Sequence, residues 1–142
     1  MSGVVVWFTG RPSSGKSTLA ETVRARLDPR IPSCVMDGDV LRQALVPRPG
    51  YDPKSRDEFY ATLGNLAALL ARQGLIVLVA ATAHLRAFRR RAREAAPAFV
   101  EVFVNATTEE VETRDSRGLY AAVRAGRIGG VPGADLGYEP PC

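Results

Sequence analysis

At 142 residues the chain is the size of one domain with a real hydrophobic core, and its apolar share of 46% is ordinary for a globular protein. Two cysteines, Cys34 and Cys142, are too few and too far apart for a disulfide framework or a zinc site, and no apolar run approaches the roughly 18 residues of a membrane span. The net charge of +4 is carried almost wholly by arginine, since only Lys16 and Lys54 are lysines, and it fits a small anionic substrate better than a nucleic acid.

The chain opens on an apolar, β-branched run over residues 4–9, as a buried parallel strand should be. Because the first strand starts at once, no leader segment is expected and the location is read as cytoplasmic. Next comes Gly10-Arg11-Pro12-Ser13-Ser14-Gly15-Lys16-Ser17, which fits the phosphate-loop pattern G-x-x-x-x-G-K-[ST]. Its glycines let backbone N–H groups turn inward around phosphates. Lys16 can reach the β and γ phosphates, and the Ser17 hydroxyl can ligate Mg²⁺. A helix follows over 17–27, with Leu19, Val23 and Leu27 recurring at a spacing of four. A strand, this loop and a helix in that order make a nucleoside triphosphate with Mg²⁺ the expected ligand.

Residues 28–32 form a turn, and 33–37 a second short strand ending in Asp37-Gly38-Asp39. A short helix is expected over 40–45 and a Pro-rich loop over 46–53. Ser55, with Glu58 three residues on, marks the start of a long helix that carries Phe59, Leu63, Leu66, Leu69 and Leu70 and stops near Gly74. The apolar run 75–83 reads as the sheet centre. A basic helix over 86–95, a strand over 99–104 and a helix over 107–114 follow. Arg89-Arg90-Arg91 reads as the wet face of its helix, and His84 as a loop histidine. Residues 115–142, rich in Gly, Pro and Arg, read as a lid and tail more than a core element. The alternation predicts an α/β fold of three layers, a mostly parallel sheet covered on both faces, with the nucleotide at the carboxyl ends of the strands.

Phosphoryl transfer needs positioning and charge neutralisation. The strand 75–83 ends without an acid, so Asp37 and Asp39 are the candidates for the Mg²⁺ shell and for the attacking hydroxyl. The plainer reading is an Asx turn with Asp39 capping the next helix, and both can hold. Arg42 and Arg56 can grip an anionic acceptor, because arginine suits planar contacts to phosphate or sulfate. Tyr51 either stacks a base or anchors its loop.

Together these residues resemble the adenylyl-sulfate (APS) kinases. The resemblance rests on Val6 to Gly10 leading into the loop, Asp37-Gly38-Asp39 with Arg42, the strands Gly74-Leu75-Ile76-Val77 and Glu101-Val102-Phe103-Val104, Arg114-Asp115, Gly118-Leu119-Tyr120, Ala125-Gly126, and Gly133, Asp135, Tyr138, Glu139 and Pro141. It spans nearly the whole chain and implies a P-loop kinase that phosphorylates the 3′-hydroxyl of adenylyl sulfate. By the resemblance, Lys16, Asp37 and Asp39 are catalytic, with Ser17 and Asp37 at the metal. Arg42 and Arg56 hold the acceptor's phosphosulfate, and Tyr51 stacks its adenine. The resemblance also implies that ATP and Mg²⁺ are the cofactors, with Gly10 through Thr18 cradling ATP and Arg114 against its base. Residues 115–135 close over both, with Arg117, Leu119 and Val131 on the acceptor side.

The departures cluster on that side. The family usually has Asn where this chain has Phe59, two arginines at Ala61 and Thr62, Ser-Pro-Tyr at Ala83-His84-Leu85, and a stacking Phe at Val131. A different nucleotide or sugar acceptor, or a nucleotide-binding module without turnover, therefore stands as an alternative. Family members also carry an N-terminal extension and a final strand and helix. Without these the sheet is short at its C-terminal end, and a homodimer that covers the open edge is expected, or else a marginally stable monomer.

Overall fold

The computed structural model describes residues 1–115, 118–131 and 136–142. Strand β1 (Val4–Thr9) leads through the phosphate loop into helix α1 (Lys16–Arg26), followed by β2 (Ser33–Asp37) and the short α2 (Gly38–Ala44). The long α3 (Pro53–Arg72), β3 (Ile76–Ala80), α4 (Arg86–Ala95) and β4 (Phe99–Phe103) come next, then α5 (Thr108–Thr113) and α6 (Leu119–Arg124). The four strands form one parallel sheet in the order β2-β3-β1-β4. β1 and β3 are therefore the central pair, as the continuous apolar runs require.

Strand periodicity assigns the two faces. Val5, Trp7, Val77 and Val79 point to one side, where α3 and α4 cover them with Phe59, Leu63, Ala67, Phe88 and Ala92. Phe8, Leu78 and Ala80 point to the other, against Ala20 and Val23 of α1 and Leu27 just beyond it. Each large side chain buried in this way stabilises by about 1.5–3 kcal/mol. α3 and α4 approach so closely that a Cβ on Gly64 would lie 3.3 Å from the Ala92 Cβ. Trp7 adds a polar tie, its indole N–H donating to the Ala81 carbonyl at 3.2 Å, which holds the chain leaving β3 against β1.

Several local expectations are corrected. Ser55 is not the cap of α3: the Asp52 carboxylate accepts from the Ser55 N–H at 3.1 Å, and Pro53 opens the helix with its φ already helical. Asp37, not Asp39, caps α2. On α1 Leu19 is 37% exposed, and Ala20 takes the buried position beside it. The region after 115 is more than a loose lid. Tyr120 of α6 packs with Ala106 and Val111 in a small core of its own, and the tail over 136–142 is pinned to the sheet end, as described below. α3 does stop where the glycine predicts, Gly74 taking a left-handed φ of 97°.

Candidate active site

A cleft of about 350 Å³ opens at the carboxyl ends of the strands. Its walls come from the loop after β1 (Pro12, Ser13, Gly15, Lys16, Ser17, Thr18), from the end of β2 (Asp37, Gly38, Asp39) and from the end of β3 (Ala80, Ala81, Thr82). Arg42, Phe59, Tyr60 and Arg114 complete it. A parallel sheet places these residues together because every strand delivers its following loop to the same edge.

The phosphate loop is built by close packing. A Cβ on Gly10 would come 2.7 Å from the Val104 carbonyl oxygen and 2.8 Å from Ser14 Oγ, so nothing larger than glycine fits. Gly15 takes a left-handed φ of 100° immediately before α1, and no side chain caps that helix. The oxygens of a bound anion can take the place of the cap, at the positive end of the helix dipole. Lys16 Nζ donates to the Arg11 carbonyl at 3.0 Å, folded back along the loop. Arg11 itself points away, to Thr108 Oγ1 at 3.0 Å and to the Ala106 carbonyl, and braces the loop against the chain after β4.

The two acids are set apart by their bonds. The Ser17 hydroxyl donates to one carboxylate oxygen of Asp37. The other oxygen accepts from the N–H groups of Asp39 at 2.9 Å and Val40 at 3.4 Å. Asp37 is thus fixed by α2 and faces the first turn of α1. A hydroxyl and a carboxylate in contact are the hard oxygen donors that Mg²⁺ takes alongside waters and substrate phosphates. The residues therefore fit that ion without a three-acid cluster, and none is found among the described residues. Asp39 lies one position beyond Gly38, exposed, on the same wall.

On the acceptor side Arg42 is only 6% exposed. Its guanidinium lies 4.4 Å from the Tyr51 ring centre and 4.2 Å from that of Phe59. Tyr51 is thereby a loop residue stacked on an arginine, with 59% of its surface exposed. Arg56 sits 5.8 Å from the same ring and donates to the Gly130 carbonyl at 2.7 Å, which ties α3 to the chain after α6. Tyr51, Arg56, Leu119 and Val131 do not line the cleft, and Arg117 lies outside the described residues.

Arg114 does reach the loop. Its Nη1 donates to the Ser14 carbonyl at 3.2 Å and passes within 3.8 Å of where a Cβ on Gly15 would stand. Tyr120 anchors α6 to the same loop through a bond from its hydroxyl to the Pro12 carbonyl. Burial pushes the Tyr120 phenol up to about 12, so it stays a neutral donor.

The turn after β3 is held from three sides. Ala83 has a left-handed φ of 44°, unusual for a residue with a side chain. Its N–H donates to the Tyr60 hydroxyl at 3.1 Å. Its carbonyl accepts from Arg89, which also donates to the Glu139 carbonyl and sits 3.7 Å from the Glu101 carboxylate. Arg89 is 1% exposed, so the wet-face reading of this arginine is overturned: α4 turns it inward. The tail closes the arrangement. Tyr138 stacks on Phe103 and shares a 2.8 Å hydrogen bond with Thr9, whose hydroxyl also donates to the Thr82 carbonyl at 2.6 Å. The Glu139 N–H donates to the His84 carbonyl at 2.8 Å.

Sequence reasoning did not assign Phe59, Tyr60, Ala81 or Thr82 to the cleft wall. Ala81 and Thr82 had a signal, since they follow a central strand at its carboxyl end. Phe59, 3% exposed, stood among the departures on the acceptor side, whereas Tyr60, 7% exposed on the apolar face of a long helix, had no signal.

Comparison with known proteins bears on this geometry. A family model described as Adenylylsulphate kinase matches residues 2–142. An adenylyl-sulfate kinase of Picosynechococcus sp. is 42% identical over 142 residues, covering 98% of this chain and 79% of that one. The solved Mycobacterium tuberculosis APS kinase in complex with AMPPNP and APS superposes with a TM-score of 0.91 at 41% identity, over 99% of this chain and 84% of that one. A hexameric APS kinase from Thiobacillus denitrificans superposes with a TM-score of 0.65 at 26% identity, over 89% of this chain and 30% of that one.

Proposed function

The chain belongs to the adenylylsulphate kinase family, and we propose from that premise how its own residues move a phosphoryl group from ATP to the 3′-hydroxyl of adenylyl sulfate. The observation that carries the assignment is the single cleft in which the phosphate loop meets Asp37, Asp39 and Arg42. A donor cradle and an acceptor wall face one another across it, as a direct transfer between two bound nucleotides requires.

In the reaction the bond from the γ phosphorus to its bridging oxygen breaks, and a bond to the 3′-oxygen forms. The loop residues Gly10 to Thr18 hold the triphosphate through backbone N–H groups, and Lys16 swings from the Arg11 carbonyl to the β and γ phosphates. Ser17 and Asp37 would hold Mg²⁺ between them. When bound, the ion offsets the charge on the transferring group. Asp37 is bonded to Ser17 and caps α2, and Asp39, exposed on the same wall of the cleft, accepts the proton of the attacking hydroxyl. Arg42 pairs with the anionic bridge of the acceptor. Arg114, across the loop, flanks the ATP base, while Arg56, Tyr51, Leu119 and Val131 serve the acceptor from beside the cleft.

We also propose that the whole chain works as one kinase unit in the cytoplasm, where ATP is supplied. No described helix is long and apolar enough to cross a membrane. Association into a homodimer is supported by β4, which lies at an edge of the described sheet with Val100 48% and Phe103 37% exposed. Sedimentation that finds only monomer at all concentrations would overturn the homodimer.

The test of the function is a coupled assay with ATP, Mg²⁺ and adenylyl sulfate, alongside a panel of other nucleotides and sugars. The 3′-phosphorylated product should form with adenylyl sulfate and vanish in Lys16→Ala. Turnover of another acceptor alone, or of none, would defeat the assignment.

A further inference from the structure

Arg42 is held in a way that its role in the cleft does not by itself require. Its guanidinium is sandwiched between Tyr51 at 4.4 Å and Phe59 at 4.2 Å. Its Nη1 donates to the carbonyls of Gly50 at 2.9 Å and Pro49 at 3.3 Å. One ring of the sandwich comes from an exposed loop, the other from the buried face of α3. Phe59 is 3% exposed and packs edge-on against Tyr60, with ring centres 5.3 Å apart, so its ring is held in place by the core. An arginine left to itself samples many rotamers, and each must be frozen out before two parallel N–H bonds can meet an anion. A ring fixed in the core removes that freedom in advance and adds the attraction of its π face to a desolvated cation.

We infer that Phe59 is a positioning residue for the acceptor: it fixes the plane of Arg42 from within α3 and so sets how tightly the cleft holds an anionic acceptor. The inference rests on the functional reading above, in which that acceptor is adenylyl sulfate. It assigns Phe59 no contact with the reacting atoms. It separates the two rings of the sandwich, Phe59 as the buried wall and Tyr51 as the exposed one.

The test is a double-mutant cycle on the full chain with Phe59→Leu, Arg42→Lys and the two combined, and with Phe59→Tyr as the conservative variant. KM for adenylyl sulfate, KM for ATP, kcat and the thermal midpoint are measured for each. Phe59→Leu should raise KM for adenylyl sulfate by about 3- to 30-fold, the range expected for losing a cation–π contact. KM for ATP should stay within about twofold, and Phe59→Tyr should remain near wild type because the ring survives. On the Arg42→Lys background Phe59→Leu should add less than about twofold, since its effect travels through the guanidinium. An unchanged KM for adenylyl sulfate, an equal rise in both KM values, or full additivity would overturn the inference. If Phe59→Leu does not fold, Phe59→Met refills the volume without a π face and is judged by the same criteria. Calorimetric binding of adenylyl sulfate keeps the two readings apart. Binding without turnover by the wild type would defeat the kinase assignment, while the affinity ratio to Phe59→Leu would still decide the role of Phe59. No binding at all would defeat both.

Discussion

The Tyr120 hydroxyl donates to the Pro12 carbonyl at 2.7 Å, joining residues 108 positions apart in the chain. One side of this bond is the phosphate loop and the other is the small core under α6, so the chain around α6 is pegged to that loop. Tyr120→Phe keeps the ring in its pocket and removes only the bond. A hydrogen bond of this kind contributes about 1 kcal/mol, so KM for ATP should rise about fivefold with little change in kcat. Steady-state kinetics with ATP varied checks this. An unchanged KM would mean the peg does not act on the nucleotide.

Asp37→Asn separates the charge of Asp37 from its capping bond. Asn caps a helix about as well as Asp, so α2 should persist and thermal stability should change by less than about 1 kcal/mol. The negative charge beside Ser17 is lost. Turnover should fall by about 10²–10³ and the Mg²⁺ concentration for half-maximal rate should rise. A magnesium titration of the variant measures both.

Asp39→Asn should lower kcat by about 10²–10³ and leave ATP affinity nearly as it was, because in the proposed mechanism this acid serves the attacking hydroxyl and not the donor phosphates. Nucleotide binding followed by calorimetry, beside the rate, separates the two effects. An unchanged rate would remove Asp39 from the chemistry.

Arg89→Met tests the buried clamp behind the cleft. The substitution strands the carbonyls of Ala83 and Glu139 and leaves Glu101, 17% exposed, without its partner. Removing one side of a buried charge pair costs about 3 kcal/mol or more. Urea unfolding should show a loss of that size. Ala83 holds its left-handed conformation only because its neighbours impose it, so the turn lining the cleft should loosen as well.

His84 makes stability depend on pH. Burial first, then the nearby Arg56 charge, hold its imidazole below the ordinary value of 6.5, with Glu139 opposing and Arg89 adding to the shift. Between the lowered folded value and 6.5 the unfolded chain binds more protons than the folded one, so stability rises with pH through that window. Lowering the pH from about 7.5 to about 5.5 should therefore lower the denaturation midpoint, and His84→Gln should flatten the dependence. A variant with the same slope as wild type would show that another group carries it.

How much of this was legible in the sequence varies from residue to residue. The loop from Gly10 to Ser17 could be read because its whole signal is contiguous, and Asp37 because it ends a strand. Arg89 could not. It stands in a run of three arginines that reads as solvated, and only the packing of α4 on β4 and the tail turns it inward against Ala83 and Glu101. Tyr51 was legible as a site-side aromatic, but its stacking on Arg42 depends on the fold of the Pro-rich loop. Phe59 reads as a core residue and is one, while it also forms part of the cleft wall.

The sequence by itself determined the donor half of this protein: strand, loop and helix in succession, with the lysine, the hydroxyl and the acid that a triphosphate needs. Those features depend on backbone conformation over a few neighbouring residues, which local composition dictates. Only the tertiary structure decided how Arg42 is held and which distant residues brace the cleft. Phe59 beneath Arg42, Tyr120 on Pro12 and Arg89 behind Ala83 are pairings between distant segments. Such pairings are set by how helices pack on a sheet, and no local pattern encodes them.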